Sequence, residues 1–142
     1  MIVDYTKALA LAMEMAFKYG SAEWQNLLDA ADDTAKPFEE KKKYLLFLWH
    51  DEDDIINQHG ACEGHTYTGE LLLVVRSKIS DESQEVKYQE AVKHLKSVAN
   101  DVRDKYLDCD GYQVKQWKKI EVYNEYDTNV DGLKIRFTIE KR

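Results

Sequence analysis

The sequence predicts an α+β fold: a mostly antiparallel four-stranded sheet made of two hairpins, with a long helix and N-terminal helices packed on one face. Three observations predict it. Residues 82–107 carry an unbroken apolar stripe at helical spacing. Residues 44–49 and 67–77 hold two apolar runs of strand length. Residues 133–140 alternate apolar and polar side chains. The predicted order is helix, helix, strand, strand, long helix, strand, strand. A chain of 142 residues suits a single domain. Its N-terminal helices fall in residues 1–43 and its hairpin–helix–hairpin core in residues 44–142.

Residues 4–19 read as the first helix. Tyr5, Leu9, Ala12 and Ala16 recur at steps of four and three, with Met13 and Phe17 beside them. Gly20 is placed to stop it. Ser21 then caps a second, short helix that buries Trp24, Leu27 and Leu28. Pro37 ends whatever helix precedes it. Residues 44–49, Tyr-Leu-Leu-Phe-Leu-Trp, are apolar without a break and too short for an ordinary helix. They read as a strand covered on both faces. Residues 50–66 are polar, acidic and glycine-bearing, and read as a mobile loop or an extended hairpin tip. The next strand, residues 67–77, has Leu71, Leu72, Leu73, Val74 and Val75 at its centre, so it belongs inside the sheet.

The long helix carries Tyr88, Val92, Leu95, Ala99, Val102 and Tyr106 at steps of four and three. Asp81 with Gln84 approximates a capping box at its start, and Gly111 closes its end. In the third strand Ile120, Val122 and Tyr126 share a parity, with Tyr123 opposed. In the last strand Leu133, Ile135, Phe137 and Ile139 share one face; Lys134, Arg136, Thr138 and Glu140 share the other. The segment from Asp127 to Gly132 supplies the turn of this second hairpin.

Composition narrows the function. Hydrophobic residues make up 44% and charged residues 33%, with a net charge of −7. Such a chain lacks the basic footprint that grips phosphates, which argues against direct binding to nucleic acid or an anionic membrane. Two cysteines, Cys62 and Cys109, are too few for a disulfide framework. No basic n-region precedes an apolar run, and no apolar stretch approaches the ~18 residues of a membrane span. Residence in a reducing cytoplasm is the expectation.

Few residues suggest chemistry. His59, Cys62 and His65 are zinc ligand types three residues apart, with His50 as a fourth candidate, but the spacing matches no standard finger. Asp51, Glu52, Asp53 and Asp54 form an acidic run, read as a solvated segment that could attract a cation or a basic partner. Asp127, Asn129, Asp131 and Gly132 match the opening of a calcium loop. Thr138 stands where its bidentate Glu belongs, and strands flank the turn. The same residues suit a hairpin turn without an ion. Nucleophile elbow, P-loop and dinucleotide-binding motifs are absent. His94 falls beside the helix stripe as a half-buried structural residue. No enzyme activity and no cofactor are expected. Trp49, Trp117, Tyr123 and Tyr126 read first as core, and as contact residues wherever they are exposed.

The stretch from Leu71 through Ser77-Lys78 to Asp81, the helix after it, and Tyr123-Asn124-Glu125-Tyr126-Asp127 through Gly132-Leu133 to Ile139 carry a resemblance. Residues 67–140 resemble the tail-terminator-like (tail completion, neck) proteins of tailed phages and prophages. The resemblance rests on pattern rather than on an invariant chemical motif. It implies a structural virion protein, present in the host cytoplasm during assembly. It also implies a homo-oligomeric ring, commonly a hexamer, that caps the tail tube and docks it to the head connector. The partners would then be the tube protein and the connector protein. Candidate contact residues are Trp117, Tyr126, Lys134, Arg136 and Thr138, together with residues 50–66.

Overall fold

A computed structural model describes residues 2–20, 38–76, 86, 88–107, 111–125 and 130–142. In chain order they form α1 (Ile2–Ala12), β1 (Ala16–Tyr19), a 3-10 turn (Phe38–Glu40), β2 (Tyr44–Ile56), β3 (Cys62–Arg76), a π turn (Tyr88–Val92), α2 (Lys93–Leu107), β4 (Tyr112–Glu125) and β5 (Val130–Lys141). The strands make one five-stranded sheet in the order β1-β2-β3-β5-β4. The predicted four-stranded, mostly antiparallel sheet with N-terminal helices is therefore corrected. The sheet is mixed, because β1 joins β2 in parallel, and two α-helices are described. The strands of the two predicted hairpins do pair antiparallel, and β3 pairs with β5 between them; β5 begins at Val130, inside the predicted turn, and residues 126–129 lie outside the described residues.

The missing strand came from the first predicted helix. Residues 4–19 are not one helix, because α1 stops at Ala12. Glu14 takes a left-handed backbone (φ 60°), the Met15 N–H reaches back to the Ala10 carbonyl at 2.8 Å, and the Glu14 N–H reaches Leu11 at 3.1 Å. That pair of bonds is the Schellman ending, in which glycine usually holds the left-handed position. With glutamate there, the stop carries no sequence signal. Ala16, Phe17, Lys18 and Tyr19 then pair with Tyr44, Leu45, Leu46 and Phe47. The predicted second helix and capping box lie outside the described residues.

Period-two alternation sends the strand residues to two faces. One face meets both helices. Leu45, Phe47, Leu71, Leu73, Leu133, Ile135, Phe137 and Ile139 pack there with Ile2, Leu9 and Ala10 of α1 and Leu95, Ala99, Val102 and Tyr106 of α2. The α2 stripe is buried as its spacing predicts. The opposite face has its own buried cluster of Tyr44, Leu46, Leu72, Val74, Val122 and Val130. Burial on both faces explains the unbroken apolar runs in β2 and β3.

Hydrogen bonds join the helices. Thr6 is buried and donates its hydroxyl to the Ile2 carbonyl at 2.7 Å, so its oxygen is left to accept from the Tyr106 hydroxyl. The Tyr5 hydroxyl donates to the Lys105 carbonyl at 2.6 Å, and its ring stacks on Tyr112 at 5.1 Å.

Candidate functional site

Residues 50–66 form most of the distal half of the β2–β3 hairpin. Asp51 through Asp54 face Thr68 through His65 in antiparallel register. Only residues 57–61 turn the chain. Asn57 organises that turn: its Oδ1 accepts from the backbone N–H of His59 (2.9 Å) and Ala61 (3.0 Å), and Gly60 has φ 80°. Of the two readings of this segment, mobile loop or extended hairpin tip, the second describes it.

Strand geometry divides the acidic run. A bulge between Phe47 and Trp49 shifts the register by one residue, so His50, Glu52 and Asp54 share the helix-bearing face with Tyr67 and His65. Asp51 and Asp53 take the other face. The four acids therefore do not converge on one point. Glu52 is hydrogen-bonded to Tyr67; burial, with this carboxylate beside it, pushes the Tyr67 phenol up to about 12.

Register also decides which metal-ligand types meet. His65 sits directly opposite Asp54, and its Nδ1 lies 2.9 Å from Asp54 Oδ1. A second bulge, between Ile55 and Ile56, sets Cys62 opposite Ile56. Ligand atoms of Asp54, Cys62 and His65 all lie within 4.8 Å of one another. Cys62 is a free, exposed thiol that also contacts the Gly64 carbonyl at 3.3 Å. The sequence-based trio of His59, Cys62 and His65 is thus changed at one place. His59 belongs to the turn, beside Gln58 at 3.3 Å. Asp54 stands in its stead, eight residues from Cys62 in sequence, where only the hairpin register could have found it. His50 does not join the group. Its ring lies among Phe47 (5.4 Å), Tyr19 (6.0 Å) and Tyr67 (6.2 Å).

The proposed calcium loop is only partly described. Asp127 and Asn129 lie outside the described residues. Asp131 is buried within β5, opposite Val75, and adds to the forces that raise the Tyr123 phenol.

The predicted contact residues separate by face. Lys134, Arg136 and Thr138 do lie on the face away from the helices, as alternation predicts. Arg136 Nε is 3.7 Å from Glu70 Oε2, and Glu70 Oε1 accepts the Trp49 indole N–H at 3.0 Å. Trp49 is 42% exposed. Thr138 donates to Gln116 at 3.4 Å. Trp117 is turned inward, its ring 6.1 Å from Tyr106 and its indole nitrogen buried without a hydrogen-bond partner among the described residues. Tyr126 lies outside the described residues. His94 is exposed and stacks on Phe38 at 5.1 Å, rather than sitting half-buried beside the stripe.

What sequence reading did not reveal is the pair of open strand edges. Among the described residues β4 pairs only with β5, and β2 beyond Phe47 pairs only with β3. The two edges lie at opposite sides of the sheet. The β2 edge carries Asp51, Glu52, Asp53 and Asp54, all exposed; the β4 edge carries exposed Lys115 and Lys118 and half-buried Lys119, with Glu121, paired to Lys96, further along the strand. An open edge is a row of unpaired backbone donors and acceptors, and charged side chains along it limit random pairing. No family model and no curated protein matches this chain.

Proposed function

We propose that this chain is a structural subunit that joins copies of itself head to tail into a closed ring. In such a ring the acidic β2 edge of one copy meets the basic β4 edge of the next. The observation that carries this reading is the opposite charge of the two open edges. The β2, β3, β5 and β4 strands alternate in direction, so β2 and β4 run antiparallel. A second copy brought alongside without turning over therefore offers its β4 antiparallel to the β2 of the first. One register then sets Glu52 against Lys119 on the helix-bearing face and Asp53 against Lys118 on the other. Cross-strand pairs of opposite charge are favourable, and like charges there are not, so the same pairs disfavour β2 on β2 or β4 on β4. A contact between two different patches closes into a ring when its rotation permits.

The resemblance of residues 67–140 to tail-terminator-like proteins suggests where such a ring acts: at the end of a tail tube, between tube and head connector, in a virion. Trp49, Arg136 and Thr138 offer a partly exposed face for those partners. A structural role of this kind requires no catalytic group.

The test is solution mass by light scattering, alone and with tail-tube protein. The expected result is a closed species near six times 16.6 kDa. Reversing Glu52 and Asp53 to Lys should abolish it, as should reversing Lys118 and Lys119 to Glu, and mixing the two variants should restore mixed oligomers. A strict monomer at every concentration, with and without tube protein, would overturn the reading.

A further inference from the structure

We propose that Asp54, Cys62 and His65 form a binding site for a borderline-soft divalent metal ion, best matched by Zn²⁺. The ligand set comes first. A thiolate, an imidazole and a carboxylate together favour zinc over the hard cations magnesium and calcium, which take oxygen ligands. The three side chains come from positions 54, 62 and 65, yet the hairpin register and its second bulge bring their ligand atoms within 4.8 Å of one another. In a tetrahedral zinc site, bond lengths of about 2.0–2.3 Å put neighbouring ligand atoms about 3.3–3.8 Å apart. The His65–Asp54 pair, now at 2.9 Å, would open slightly to admit the ion, and the thiol would close on it. Side-chain rotation on a paired backbone can supply both movements.

The surroundings favour a cation. Asp51, Glu52 and Asp53 lie on the same strand as Asp54 and add negative potential. Lys141 stands opposite His65 on β5, and its ammonium sits over the Tyr112 ring at 4.7 Å, while the Arg142 guanidinium is held by Glu140 and Glu63. Three protein ligands at an exposed position leave the fourth place to water or to a group from another molecule. Binding would release the Cys62 thiol proton to solvent, since the ligating species is the thiolate. The proposal does not depend on ring assembly, because all three ligands belong to one hairpin.

The test uses the full, untagged chain with Cys109→Ser, so that Cys62 is its only thiol. After stripping with chelator, Zn²⁺ is titrated by calorimetry in two buffers of different ionisation enthalpy. Co²⁺ is added separately, and its thiolate charge-transfer absorption is followed. One Zn²⁺ per chain, with a proton released and a thiolate–Co²⁺ band, is expected. Cys62→Ser should remove the band, and His65→Ala or Asp54→Asn should weaken binding at least tenfold. His59→Ala should leave binding unchanged, and circular dichroism should show that every variant keeps its fold. The proposal fails if 100 μM Zn²⁺ produces no binding heat and no rise in melting temperature. It fails equally if Cys62→Ser and His65→Ala bind as tightly as the parent.

Discussion

The two halves of the β2–β3 hairpin share one ladder and almost nothing else. In the proximal half, Tyr44, Leu45, Leu46 and Phe47 lie against Leu71, Leu72, Leu73 and Val74, every one of them fully buried. In the distal half the same strands carry Asp51, Glu52, Asp53 and Asp54 against Tyr67, His65 and their neighbours, and the four acids are exposed. Backbone pairing is therefore not what separates core from surface here. The helices and the second apolar cluster cover one half, and the other is left exposed. A ladder anchored at one end holds exposed side chains in a fixed register, which neither a loop nor a buried strand would do.

That contrast should be plainest in stability. Leu73→Ala empties a fully buried site on the helix-bearing face and should cost about 2–5 kcal/mol, the range for a large-to-small core change. Ile56 at the far end of β2 is 57% exposed. Ile56→Ala should stay within about 0.5 kcal/mol, as surface changes do. Urea denaturation of both variants checks this, and equal losses would mean that the distal half is also packed.

Alkaline titration sharpens the boundary between the halves. Tyr67 stands where they meet, buried and next to Glu52, and its phenol is raised from 10.0 to about 12. A phenol raised in the folded state keeps its stabilisation in full below the unfolded value near 10 and loses it as pH rises through the folded one. That difference corresponds to about 2–3 kcal/mol once ionisation is complete. Tyr67→Phe should flatten the fall in stability between pH 10 and 12. Tyr106, buried under the helices, is raised too, chiefly by desolvation, so part of the slope should remain.

Glycines test the same boundary more gently. At Gly132, within β5, a Cβ would run into the Leu73 carbonyl oxygen and against Val74. Gly132→Ala should force the strands apart and cost about 1–3 kcal/mol, as overpacking does. Gly60, in the distal turn, has open space around it and only its left-handed backbone to object. Gly60→Ala should cost about 1–2 kcal/mol and leave the core melting as one unit.

How much of this was legible depended on where the physics left a mark. Alternation from Leu133 to Ile139, the stripe of α2 and the apolar runs of β2 and β3 were legible, because burial imposes a period or fills both faces. β1 was not. Four residues following a helix that stops at Ala12 and turns on Glu14 carry neither a period nor a glycine, and their strand exists only because β2 offers an edge. The distal hairpin was half legible: its polarity reads as loop, whereas its pairing is tertiary. For the same reason Cys62 and His65 could be grouped from sequence, whereas Asp54, read only as one of an acidic run, could not be set beside them, since its place opposite His65 follows from register. The charge difference between the β2 and β4 edges needed the strand order as well as the composition.

The smallest expected effect lies on the helix-covered side, and it separates surface electrostatics from packing. Lys96 on α2 meets Glu121 on β4 at 2.8 Å, and Lys119 donates to Asn100 at 2.9 Å, so two polar contacts pin the helix over the sheet edge. The Glu121 carboxyl is held below its ordinary value of 4.5, first by the hydrogen bond from Lys96 and then by that from Tyr123. A carboxyl lowered in this way stabilises the fold above its unfolded value and loses that contribution as pH falls through the folded one. The pair is about one-third exposed, so solvent screens it. Lys96→Ala should cost about 0.2–1 kcal/mol at pH 7, less in high salt. The difference from the parent should vanish as Glu121 is protonated. A loss that persisted at low pH would assign the role of Lys96 to its aliphatic stem and to its ammonium over the Tyr88 ring, 5.1 Å away, rather than to the ion pair.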